Sequence, residues 1–166
     1  MTLQARKSQA LGLLGWLLAT LAAGSVGAIA SVRAVIFYGR LTQPSWSPPA
    51  WLFGPVWSAL YLIMAVAAWL VWRERGFKGA RLALWLFIIQ LVANALWTWL
   101  FFGLHLGAIS MAEIIVLWLL IVATIFSFWT HHRLAALLLA PYLAWVSFAG
   151  ALTLSLWRLN PAVLGR

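Results

Sequence analysis

Five stretches of this chain are long and apolar enough to cross a bilayer, and they carry a single charge among them. Residues 10–32, 50–72, 82–102, 106–129 and 134–157 contain no Asp, Glu, Lys or Arg other than Glu113. About 20 helical residues cover a hydrocarbon core of roughly 30 Å, so each stretch suffices. Hydrophobic residues make up 66% of the chain, and only Glu74 and Glu113 are acidic. A soluble domain of this size could not hide that much apolar surface. Open strands leave backbone groups unsatisfied in lipid, and the alternation that marks a barrel strand is absent. The expected fold is therefore an all-α integral membrane protein, a five-transmembrane-helix bundle forming one domain over residues 1–166. Short links after the third and fourth stretches make successive helices antiparallel neighbours. The first stretch follows Arg6 and Lys7 as a signal peptide would, but it is too long for a typical apolar h-region, so a retained helix is expected.

The formal charge is +9, yet the basic residues sit scattered at the ends of the apolar runs, which argues against a nucleic-acid surface. Arg6, Lys7, Arg73, Arg75, Lys78, Arg81 and Arg133 fall on one side of the predicted topology, and Arg33, Arg40, Arg158 and Arg166 on the other. That asymmetry places the amino terminus in the cytoplasm. There is no cysteine, which excludes disulfides and thiol catalysis. His105, His131 and His132 fall in loops at opposite faces, so no metal site is expected.

Thirteen tryptophans exceed what anchoring at two interfaces requires. Five of them lie between Trp46 and Trp72. That run is entered through Ser47-Pro48-Pro49, which reads as an N-cap followed by helix-starting prolines. Upstream, residues 33–49 form the longest connection and hold Tyr38, Arg40, Gln43, Pro44 and Trp46. This loop either folds over the bundle mouth as a lid or rests at headgroup level. Gln90, Asn94 and Thr98 recur every fourth residue with Trp97 beside them, giving the third helix a narrow polar stripe for interhelical hydrogen bonds or for a cavity wall. Pro141 can bend the fifth helix and open room beside Trp145. Trp57, Asn94, Trp97 and Trp145 could together wall an apolar cavity with a few donors, a composition suited to a small planar molecule. Gly15, Ala19, Ala23, Gly27 and Ser31 make a shallow ridge on the first helix, for packing or, at Gly27, for close approach of a flat ligand. Glu113 lies about two turns inside the fourth helix, where it reaches water, pairs with Arg33, or serves a gate or proton-linked role.

Several separate blocks carry a family resemblance. Phe37-Tyr38, Leu41, Pro44, Trp46, Pro48-Pro49, Phe53, Pro55-Val56-Trp57, Leu60-Tyr61 and Met64 form the first. Gln90, Asn94, Trp97 and Phe101-Phe102-Gly103 follow, then Pro141-Tyr142-Leu143-Ala144-Trp145, Phe148-Ala149 and Leu159-Asn160. Their order and spacing resemble the TspO/MBR family, the tryptophan-rich sensory proteins that include the mitochondrial translocator protein. The resemblance implies a cavity for porphyrins, isoquinoline and benzodiazepine drugs or sterols. It assigns Phe53, Val56, Trp57, Asn94, Trp145, Ala149 and Leu152 to the cavity, with Tyr38 and Trp46 in the covering loop. It also implies a homodimer, for which Gly79-x-x-x-Ala83 is the candidate contact. Against the family pattern, Phe37 replaces a Trp, Gln43 a Lys, Ala65 a Gly and Thr153 an Asn; the lost lysine removes a cation near the lid. Residues 35–40, VIFYGR, fit a proposed cholesterol motif, which is only a hypothesis-grade pattern.

The function expected from this reading is a membrane receptor or sensor for porphyrin-type tetrapyrroles, held as ligands rather than cofactors. Transport is the alternative, although no internal repeat supports it. Light-dependent porphyrin breakdown, reported for some family members, is the enzymatic alternative, with Trp57 and Trp145 as electron donors. No acid, base and nucleophile constellation is visible for other chemistry.

Overall fold

A computed structural model of the chain describes residues 3–165, with side chains from Lys7 onward. Five helices long and apolar enough to span a membrane cover Lys7–Ala30, Ala50–Gly79, Arg81–Gly103, Gly107–Trp129 and Arg133–Leu159. The expected all-α five-helix fold is thus the observed one. The elements are α1 (Leu3–Ala30), α2 (Ala34–Arg40), α3 (Phe53–Gly79, entered by a 3-10 turn at Ala50–Leu52), α4 (Arg81–Thr98, continued by a π turn at Trp99–Gly103) and α5 (Gly107–Trp129). The fifth span is broken into α6 (Arg133–Leu138) and α7 (Ala140–Leu159), and α8 (Pro161–Leu164) closes the described chain. Pro141 stands in the first turn of α7, where its missing N–H costs least, so the span breaks at Leu139, two residues before the proline.

Helix α1 packs chiefly on α3 and α4. Glycines allow this close approach: a Cβ on Gly12 would run into the Trp72 ring, and one on Gly24 would lie 2.8 Å from Tyr61 Cε2. Only part of the predicted ridge serves. Ala19 is exposed and a Cβ on Gly15 would meet nothing within 4 Å, whereas Gly27 faces the Thr98 side chain. Tryptophans fasten the bundle as well. The indole N–H of Trp69 donates to the Gln9 carbonyl (3.1 Å), that of Trp99 to the Val26 carbonyl (3.1 Å), and that of Trp118 to Ser147 Oγ (2.9 Å).

The two ends of the bundle differ. At one end α2, the turn around His105 and the start of α8 meet: Phe37 stacks on His105 at 4.0 Å, and Asn160 bonds both to the backbone N–H and to the carbonyl of Thr42. At the other, His132 Nε2 lies 3.6 Å from Glu74 Oε1, the only approach of a basic side chain to a carboxylate within 4 Å among the described residues.

Helix α3 runs past the expected Trp72 to Gly79, but Gly76 has φ 63° and ψ 176°, a conformation open essentially to glycine alone. Gly76→Ala should therefore cost about 1–3 kcal/mol, read as a lower melting temperature in detergent, although open space surrounds the position. Of the small-residue motif Gly79-x-x-x-Ala83, Gly79 is exposed and Ala83 is buried within the bundle.

Candidate functional site

The start of α3 sets the site. Pro49 rather than Ser47 stands at the N-cap of the entry turn, because Ser47 Oγ is turned back to Gln43 Oε1 at 2.9 Å. The connection read from sequence as either a lid or an interfacial loop is partly helical, with α2 at Ala34–Arg40. Helix α2 carries Tyr38 inward, 4% exposed, with its hydroxyl donating to the Pro48 carbonyl at 3.1 Å. Burial raises the Tyr38 phenol above its ordinary value, so the hydroxyl remains a donor at neutral pH. Gln43 Nε2 donates to the Tyr38 carbonyl at 2.7 Å, and Asn160 pins Thr42 to the end of α7. Segment 41–49 is thus tied down at both ends. Asn160→Ala would orphan the Thr42 N–H and carbonyl, so exchange of the Thr42 amide should rise at least tenfold, measured by hydrogen–deuterium exchange.

Beneath this cover lies a cavity of about 530 Å³. Tyr38, Phe53, Trp57, Trp97, Trp145 and Ala149, six of the residues expected at the site, line it. The four others do not. Asn94 is buried below the cavity in a hydrogen-bonded chain: Tyr61 Oη donates to Asn94 Oδ1 (2.6 Å), Asn94 Nδ2 to Tyr142 Oη (3.2 Å), and Tyr142 Oη to Gln90 Oε1 (2.8 Å). The polar stripe of α4 is therefore used for interhelical bonds at Gln90 and Asn94. Trp46 is half exposed and packs edge-on against Phe148 at 5.8 Å. Val56 and Leu152 pack into the core beside the cavity.

The aromatic wall is built in layers. Trp57 stacks on Tyr61 at 5.6 Å, and its ring meets the edge of Tyr142 at 6.2 Å, so the Asn94 network sets the orientation of the cavity floor. Trp97 lies parallel to Phe101 at 5.6 Å, held where the π turn loosens the end of the span. Phe53 meets Trp145 edge-on at 5.9 Å. The indole N–H groups of Trp97 and Trp145 are buried without hydrogen-bond partners. Both carboxylate oxygens of Glu113 are also buried without a partner, so the pairing with Arg33, one of the alternatives open from sequence, does not occur. No cluster of His, Cys, Asp or Glu among the described residues could hold a metal ion.

Reasoning from sequence alone passed over the two tyrosines that hold this floor. Tyr61 and Tyr142 each stand in a quoted family block, and their positions at the depth of Asn94 were the available signal. It likewise did not anticipate the hold of Asn160 on the loop.

Layered Trp and Tyr thus surround a chamber open along one flank, and the sequence that builds it matches a known family. The model of the TspO/MBR family fits residues 16–158. The chain belongs to the TspO/MBR family. Among similar proteins, Protein CrtK of Rhodobacter capsulatus is 44% identical over 84% of this chain and 86% of its own length. Tryptophan-rich protein TspO of Archaeoglobus fulgidus is 38% identical over 90% of this chain and 97% of its own. The translocator protein of Homo sapiens is 37% identical over 75% of each. As a TspO/MBR protein with five spanning helices, the chain is an integral, multi-pass membrane protein.

Proposed function

We propose that this TspO/MBR protein is a membrane receptor for a planar, largely apolar ligand of the porphyrin type, with its amino terminus on the cytoplasmic side. The observation that carries the reading is the chamber itself. Its volume falls within the roughly 300–1,000 Å³ usual for small-molecule sites, and Trp57, Trp97 and Trp145 present flat π-faces around it. No general acid–base pair stands at the wall, which favours holding over turnover. Light-driven breakdown of the same ligand is the second reading. It is favoured by Trp57, an oxidisable indole on the wall that is stacked on Tyr61.

Quenching of tryptophan emission by protoporphyrin IX, compared with a sterol and an isoquinoline drug, tests the ligand class. Saturable quenching by the porphyrin at the lowest concentration supports the reading, and no saturable quenching would overturn it. Within that assay, Trp145→Ala should weaken binding about fivefold or more, since a stacking partner contributes on the order of 1 kcal/mol beyond its buried area. Trp129→Ala should not. Trp129 is half exposed at the other end of the bundle, with the Arg133 guanidinium 5.8 Å over its ring. Equal affinity in the two variants would exclude Trp145 from binding.

A further inference from the structure

The chamber is covered by Tyr38 on its loop side and open along its flank between α1 and α3, a gap that begins at Ser31, Ala34 and the exposed Val35. On the loop side Tyr38 meets Phe53 edge-on at 5.4 Å and donates to Pro48, and Asn160 holds segment 41–49 in place. No comparable bond closes the gap between the second half of α1 and the first half of α3. Leu21 and Leu62 line the chamber yet are 47% and 50% exposed, so they belong both to the cavity wall and to the outer surface of the spanning region. Between them and the loop end, Ser25 and Ala28 on α1 and Gly54 and Ser58 on α3 also line the chamber and are exposed. A Cβ added at Gly54 would meet nothing within 4 Å, so the space beside it is open. Deeper in the membrane the cleft ends where Gly24 rests on the Tyr61 ring. The Ser58 hydroxyl is satisfied by the Gly54 carbonyl at 2.9 Å, so it presents no unpaired donor to a passing apolar molecule.

We propose that the chamber fills sideways from the bilayer, through the cleft between α1 and α3, and that its ligand is a molecule already dissolved in the hydrocarbon region. The inference rests on the receptor reading for the identity of the ligand but not for the route. Charged, strongly hydrated molecules are excluded because they do not reach the cleft, and flat lipid-soluble ones are concentrated at it. The cleft residues Ser25 and Ser58 then set the rate and the maximum thickness of what enters, whereas Trp57, Trp97 and Trp145 set what stays.

Two measurements on the full chain in lipid bilayers decide this. In stopped-flow quenching with protoporphyrin IX, narrowing the cleft by Ser25→Phe or Ser58→Phe should slow association at least tenfold. Asn160→Ala, which loosens the loop but leaves the cleft alone, should change association less than twofold. Slowed entry in neither cleft variant, or faster entry in Asn160→Ala, would overturn the lateral route. The second measurement needs no porphyrin. In bilayers of phosphatidylcholine with brominated acyl chains, the emission lost between the intact chain and Trp57→Phe should be quenched, and Ser25→Phe with Ser58→Phe should protect it. Trp57 emission quenched by aqueous iodide and untouched by the brominated chains would sink the proposal. Bromolipid quenching with no porphyrin binding would instead overturn the receptor reading and leave the lateral opening standing.

Discussion

Asn94→Ala is expected to lower the stability of the bundle by about 2–3 kcal/mol, the largest effect of any single polar truncation in the protein. The amide accepts from the Tyr61 hydroxyl and donates to Tyr142, and all three groups are enclosed. Truncation leaves two hydroxyls short of a partner in a region where water cannot replace it. Interhelical hydrogen bonds in membranes average only about 0.6 kcal/mol by double-mutant cycles, because the unfolded chain also finds partners. The expected cost is larger here because one side chain joins three spans, so a single truncation breaks two bonds and leaves a void. Tyr61→Phe, which removes only the first bond, should cost about 1 kcal/mol or less. Reversible unfolding in mixed micelles measures both. The Asn94 variant should also weaken planar-ligand binding without touching the ligand, since Trp57 stacks on Tyr61 and meets the edge of Tyr142. Stability within 0.5 kcal/mol of the intact chain, or unchanged affinity, would mean that the floor is held by ring packing alone.

How much of this was legible in the residues follows from the physics of each signal. The five spans were legible because lipid forces every backbone group into a helix and forbids charge, so composition alone marks their extent to within a few residues. Helix α3 ran past its expected end because the backbone stays helical through Arg73, Glu74 and Arg75 once outside the apolar core, and only Gly76 breaks it. The break before Pro141 was legible, since proline has one local effect on a helix. Partner choice was not. Gln90 and Asn94 announce a need for hydrogen bonds, but spacing on one helix does not say whether a ligand or a tyrosine on another helix supplies them. The tryptophans misled in the same way. Trp69, Trp99 and Trp118 use their N–H groups to fasten helices together, so only part of the tryptophan excess remains for the chamber. Loop 33–49 was open to reading as a lid or as an interfacial connection, and of it only Ala34, Val35 and Tyr38 line the chamber. Its fixation by Asn160 arises from a contact 118 residues away, for which the sequence carried no local sign.

Trp57→Phe should abolish any light-driven loss of porphyrin while leaving its binding nearly intact, and this separates turnover from reception. Phenylalanine keeps a flat face on the Tyr61 ring but is far harder to oxidise than indole, so an excited macrocycle above it loses its nearest electron donor on α3. If breakdown is the activity, loss of porphyrin absorbance should require illumination and oxygen and should fall tenfold or more in this variant. Reception predicts a different dominant effect. Ala149 is buried, lines the chamber and lies one turn beyond Trp145, so Ala149→Leu adds three carbons to a wall with no room behind it. Overpacking of this kind costs about 1–3 kcal/mol, and the occupant is the part free to leave. Affinity should therefore fall roughly 5- to 150-fold. Protoporphyrin IX titration of both variants, in the dark and under illumination, reads the two effects independently. Bleaching at equal rates in the intact chain, in Trp57→Phe and in empty micelles would exclude a catalytic role. Retention of full affinity in Ala149→Leu would place the ligand outside the chamber. The receptor outcome is expected because the chamber offers flat aromatic faces, while Tyr61 is hydrogen-bonded to an amide and no carboxylate or imidazole lines the wall to take up a proton during turnover.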